Sequence, residues 1–221
     1  MRVLYLVANG FAATLDWVIG VFIVWLIAAI WPYELRWYHY ILGALLGVAP
    51  DFDFLHKLAG VKGSLVDHHD SLMHRPVFGI PCAALLGYSL GGVFWAVVAV
   101  SCIFIHYLHD TRGLGGGGIG WLWPFSKKHY GFFDVGWRVL VTEPREAAEL
   151  WPNHNRWLET VYLRPSPRSV VELTWSSLLL SVVAWQAIDA WAGVIAYFGA
   201  WFTAFGLWWA FEVKRMVVAR R

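Results

Sequence analysis

Cysteine is scarce in this chain. Its 221 residues include two, Cys82 and Cys102, and both lie inside apolar stretches, where a thiol behaves as a small hydrophobe. That excludes a disulfide framework and a closed cysteine metal site as organising features. Charge is scarce as well: 14% of residues are charged against 59% hydrophobic, far from the balance of a soluble globular protein. A net charge of +2, with no basic stripe interleaved with aromatics, excludes nucleic acid as a partner. There is no internal repeat. The one low-complexity tract, Gly115-Gly116-Gly117-Gly118, lacks the Lys-Ser/Thr ending of a nucleotide-binding loop and reads as a lid or connector.

What the chain has in abundance is apolar length and aromatic rings. Roughly 20 apolar residues cross a bilayer, and four regions are candidates: Trp17 to Trp31, extending back towards Val3; Pro76 to His106; Val170 to Ile188; and Ala190 to Glu212, with Asp189 at the turn between the last two. Ile41 to Ala49 is too short to span. The chain has sixteen tryptophans and nine tyrosines, many of them beside these runs (Trp31, Trp37, Tyr38, Trp121, Trp123, Trp208), as amphipathic rings are at headgroup level. The expectation is an all-α, polytopic membrane bundle forming one domain over 1–221. A polar segment at 111–169 and a C-terminal helical hairpin at 170–213 complete it. Lys and Arg concentrate between Thr111 and Ser169 and in the tail at Lys214, Arg215, Arg220 and Arg221, placing both on the cytoplasmic side of an inner membrane. Glu143-Pro144-Arg145-Glu146 reads as the start of a short helix from Pro144 to Glu149.

Carboxylates and imidazoles cluster at the edges of the apolar runs, in Pro50-Asp51-Phe52-Asp53, His69-Asp70-Ser71-Leu72-Met73-His74 and His106-Tyr107-Leu108-His109-Asp110. Ionisable groups beside hydrocarbon are costly unless paired or bound, and a bound cation is the simplest remedy. One continuous helix would hold His74 and His106 on the order of 48 Å apart at 1.5 Å per residue. The chain must therefore reverse, and Gly87-Tyr88-Ser89-Leu90-Gly91-Gly92 is the place with turn chemistry. This predicts a helical hairpin with arms of unequal length, the first falling short of a full crossing. On its returning arm His106 and Asp110 share a face at i and i+4. His109 is close to that face as a third ligand, a ligand-supporting residue or a proton carrier. Mixed imidazole and carboxylate donors suit zinc foremost, with manganese or iron also fitting.

These pieces, with Gly43-Ala44-Leu45-Leu46-Gly47 and Leu122-Trp123-Pro124-Phe125-Ser126, occur in order over roughly 12–130 and resemble the predicted membrane-bound metal-dependent hydrolases typified by an inner-membrane protein of the bacterial SOS response. The resemblance implies metal residues Asp51, Asp53, His69, His74, His106 and Asp110. Asp16 stands where that family usually has a histidine and still offers a ligand. Met73-His74-Arg75 replaces the usual Thr-His-Ser. A more distant similarity, through His-x3-Asp, points to the zinc-dependent phospholipase C group.

A cation with an open position lowers the pKa of bound water and polarises a substrate oxygen, so hydrolysis is the expected reaction, with Asp53 and His109 handling protons. Arg75 is a candidate phosphate or carboxylate clamp, and the family resemblance adds Ser126 as a substrate contact. A phosphate ester or lipid head group at the membrane surface is the expected substrate. The alternatives are a metal or small-solute transporter, or a scaffold with a structural ion.

Overall fold

The computed structural model describes residues 2–54, 71–111, 118–134, 138–142 and 154–219. The helices are α1 (Arg2–Ala12), α2 (Thr14–Ile30), α3 (Trp37–Gly47), α4 (Pro76–Asp110), α5 (His154–Val161), α6 (Pro167–Ala187) and α7 (Ala190–Ala219). Two 3-10 turns, Ala49–Phe54 and Leu72–His74, precede α4. By length and composition alone, among the described residues, three helices are candidate membrane spans, Pro76–Asp110 (broken at its middle), Pro167–Ala187 and Ala190–Val217, or up to four if the bent pair Val3–Ala12 and Thr14–Ile30 acts as one span.

The chain divides into two compact units, 1–22 with 153–221, and 23–152. In the first, α6 and α7 form an antiparallel hairpin: Ser181 Oγ donates to the Gly193 carbonyl at 2.9 Å beside the turn, and Leu173 packs with Ala204 and Trp208 farther along. Ser166 caps α6, its side chain accepting from the Ser169 N–H ahead of a proline in the first turn, the arrangement that relieves unpaired N–H groups at a helix start. A separate apolar cluster joins Ala8, Leu158, Tyr162, Leu163, Leu207 and Phe211.

The second unit is built around α4, which is broken in the middle. Gly91 and Gly92 leave helical geometry, and Gly92 takes φ +73°, a conformation open to glycine because it lacks a Cβ. The arms, 76–90 and 93–110, fold back against each other so tightly that glycine is required at the contacts. A Cβ on Gly79 would fall 1.8 Å from the Tyr107 hydroxyl, and one on Gly87 would fall 2.3 Å from the Trp95 carbonyl oxygen. The predicted hairpin is therefore present. At 1.5 Å per residue its first arm is about 22 Å long, short of the ~30 Å hydrocarbon core.

The returning arm buries Trp95, Val98, Ala99, Cys102, Ile103 and Tyr107, a helical stripe. α3 packs on α4 and buries His39, Gly43, Leu46 and Gly47. At the hinge end Tyr33 stacks on Phe94 with ring centroids 3.9 Å apart, and Trp95 Nε1 donates to Tyr33 Oη at 3.2 Å.

The all-α expectation needs one correction. β1 (His129–Asp134) and β2 (Arg138–Thr142) pair antiparallel, with His129 opposite Thr142 and Gly131 opposite Leu140, and Ile119 bridges to Tyr130. Tyr130, Phe132, Phe133, Val139 and Val141 are residues that fit a pleated surface, so the local preference favours strands. The predicted helix at Pro144–Glu149 lies outside the described residues.

Candidate metal centre

The open end of the α4 hairpin assembles the site from three separate stretches of chain. The returning arm supplies His106 and, one turn on, Asp110; their Nε2 and Oδ2 are 3.1 Å apart. The 3-10 turn that leads into the first arm supplies His74, whose Nε2 is 3.4 Å from the same Asp110 oxygen. The turn following α3 supplies Asp51, whose Oδ1 is 3.5 Å from His74 Nε2 and 3.6 Å from His106 Nε2. The ligand atoms of Asp51, His74 and His106 all lie within 4.8 Å of one another. Chain reversal at Gly91-Gly92 is what makes this possible: the two imidazole centroids are 5.6 Å apart.

The outer nitrogens of both rings are engaged away from the centre. His106 Nδ1 lies 2.8 Å from the Gly47 carbonyl oxygen. A carbonyl only accepts, so Nδ1 carries the proton and Nε2 presents a lone pair inward. His74 Nδ1 lies 3.3 Å from Ser71 Oγ, consistent with the same tautomer. This arrangement, with a backbone carbonyl or hydroxyl orienting each ring, is how metal-ligating histidines are held. Two inward lone pairs and two carboxylate oxygens make an acceptor-rich centre, and that donor set fits a divalent cation.

His74 Nε2, His106 Nε2 and Asp110 Oδ2 are withdrawn from solvent. The Asp51 side chain keeps 33% of its surface accessible, so the centre opens on the Asp51 side. Burial pushes the Asp51 carboxyl up; with the two imidazoles protonated, the His106 charge and hydrogen bonds from His106 and His74 would outweigh it and hold the group below the usual carboxylate range.

Of the residues singled out in the sequence, Asp51, His74, His106 and Asp110 come together. Asp53 lies in the same 3-10 turn as Asp51, but its side chain and all of His69 fall outside the described residues. Asp16 is buried in the first turn of α2, in the first unit. His109 is buried on the returning arm. Ser126 Oγ accepts the Lys128 N–H at 3.1 Å, a local turn contact.

Arg75 is buried. Its Nη1 sits 3.5 Å from His129 Nε2, and it occupies the space a Cβ on Gly120 would fill, 1.8 Å from that position. The Gly47 carbonyl, Ser71, Gly120 and His129 were not anticipated as contributors. Only Ser71, three residues before His74, carried a signal a sequence reading can find; carbonyl contacts leave none.

The fold and this cluster define a helical membrane protein with two imidazoles and two carboxylates gathered at the open end of a broken-helix hairpin. The chain belongs to the YdjM inner membrane protein family, whose profile matches residues 16–203 and so includes all four converging residues. It is similar to the inner membrane protein YbcI of Escherichia coli (strain K12), at 30% identity over 109 residues, 46% of this chain and 61% of that relative. The chain thus spans about three fifths of the relative's length. No solved structure matches the chain.

Proposed function

We propose that this protein is a membrane-bound metal-dependent hydrolase that cleaves a phosphate ester or lipid head group at the cytoplasmic surface of the inner membrane. The supporting observation is the convergence of His74 Nε2, His106 Nε2, Asp51 Oδ1 and Asp110 Oδ2 at 3.1–3.6 Å, with each imidazole's other nitrogen held from outside. Zinc is the foremost candidate ion, with manganese or iron compatible with the same nitrogen and oxygen donors. When bound, such an ion lowers the pKa of water and polarises a substrate oxygen.

The chain's own residues do the rest. Asp51, at the accessible side, is the ligand beside which a substrate enters. His109, three residues from His106 on the same arm, is the candidate proton carrier, and Asp53 is the second. Arg75, buried directly after His74, and Ser126 are the candidate substrate contacts. The distant phospholipase C similarity rests on the helical His106-x3-Asp110 pattern alone.

Transport is the weaker reading because polar groups do not continue along the hairpin. Between Val77 and Ile105 neither arm carries Asp, Glu, Lys, Arg or His. A closed structural ion is favoured by the four protein donors, which fill a tetrahedral set, and disfavoured by the accessible Asp51.

Elemental analysis of the purified protein tests the metal. About one divalent ion per chain is expected, lost in His106→Ala and Asp51→Ala; an equal, low metal content in all three rejects the reading. A panel of lipid and phosphodiester substrates then separates an enzyme from a structural site.

A further inference from the structure

The segment after α4 returns to the metal-bearing end of the hairpin and is fastened there twice. Gly120 packs directly on the Arg75 guanidinium, next to His74, and Trp121 Nε1 donates to Thr111 Oγ1 at 2.9 Å, next to Asp110. Immediately beyond these ties the chain is apolar and exposed. Phe125 has 94% of its surface accessible, and Leu122 is exposed as well, followed directly by the exposed Lys127 and Lys128. Two further exposed apolar side chains, Phe52 and Leu72, sit on the turns that carry Asp51 and His74. Val77 and Phe78 are exposed on the first turn of the apolar hairpin, just after His74 and Arg75 in the chain.

An aromatic projecting fully from a turn costs free energy in water. Rings followed by lysines match the layer where hydrocarbon meets head groups, with lysines attracted to anionic lipid at the cytoplasmic leaflet. We propose that Leu122, Phe125, Lys127 and Lys128, with Phe52 and Leu72, form a docking collar for anionic phospholipid around the candidate metal centre. The collar seats that end of the hairpin in the headgroup layer and presents to Asp51 the head group of a lipid still held in the bilayer. This rests on the hydrolase reading for the use of the site, but the collar itself is measured without catalysis.

The test uses the full-length protein in nanodiscs of zwitterionic lipid with or without phosphatidylglycerol. A spin label is placed at Phe125→Cys in a Cys82→Ala background, since Cys102 is fully buried. The label should collide more often with oxygen than with a water-soluble nickel reagent, and the reverse ranking overturns the proposal. Lys127→Gln and Lys128→Gln should each lower retention of phosphatidylglycerol in native mass spectrometry about fivefold relative to the zwitterionic lipid; unchanged retention in the double variant overturns the headgroup assignment. Metal content measured on the same samples reports separately on the site. A label reading as aqueous with metal still bound sinks the collar and spares the metal, and an immersed label without metal does the opposite.

Discussion

Two groups of buried charge in this molecule solve the same problem in opposite ways. In the first unit, Arg168 Nε donates to Glu172 Oε1 at 2.7 Å and the Tyr162 hydroxyl donates to Glu172 Oε2 at 2.7 Å. Cation meets anion, both carboxylate oxygens receive donors, and the phenol is pushed well above its ordinary pKa, by burial first. The group is electrically complete. In the second unit, two carboxylates face two imidazoles at 3.1–3.6 Å, with no permanent cation among the four. Completeness fits a structural role for the first; the second is the candidate metal centre.

The sharpest way to break this contrast is to truncate one member of each group. Asp110→Ala should abolish stoichiometric metal, read by elemental analysis, and with it the stabilisation that saturating metal confers, about 2.7 kcal/mol at a hundredfold excess over Kd. Glu172→Ala should leave metal unchanged while costing about 3–5 kcal/mol by stranding Arg168, read by unfolding in detergent. If the second variant loses metal as well, the two groups are not independent.

A next test is replacement in pairs. Arg168→Met with Glu172→Leu should recover most of the lost stability, since an apolar pair of similar volume often equals a buried ion pair. No apolar pair at His74 and His106 should recover metal. Smaller effects come from the supports. Ser71→Ala should weaken metal binding roughly 10–100-fold, with Ser71→Thr largely restoring it. Gly120→Ala forces the Arg75 guanidinium to move and should cost about 1–3 kcal/mol. Gly10→Ala, with nothing near its Cβ, is the control expected to be neutral.

Much of the second group was legible because its logic is local or metric. His106 and Asp110 are one helical turn apart, and the length of a straight helix forced a reversal at the only glycine-rich stretch of the run. The strands His129–Asp134 and Arg138–Thr142 were readable in principle from their aromatic and β-branched residues, but the stretch reads as part of a polar connecting segment. The Arg168 and Glu172 pair stood at i, i+4 in plain view; its burial was not, because that depends on the Tyr162 side chain arriving from before α6. Arg75 reads as a candidate phosphate or carboxylate clamp; its burial was not legible, and it fills space that a Cβ on Gly120 would occupy. The Gly47 carbonyl that orients His106 could not be read at all, since every residue has one.

The break at Gly91-Gly92 also bears on how the protein holds together. It leaves the hairpin joined by chain at one end only, while the opposite end depends on side chains contributed from beyond both arms. An ion gripped by Asp51, His74, His106 and Asp110 would act there as a clasp, cross-linking positions distant along the chain and restricting the unfolded ensemble much as a covalent bridge does. In a protein whose two cysteines offer no such bridge, coordination would take over that duty.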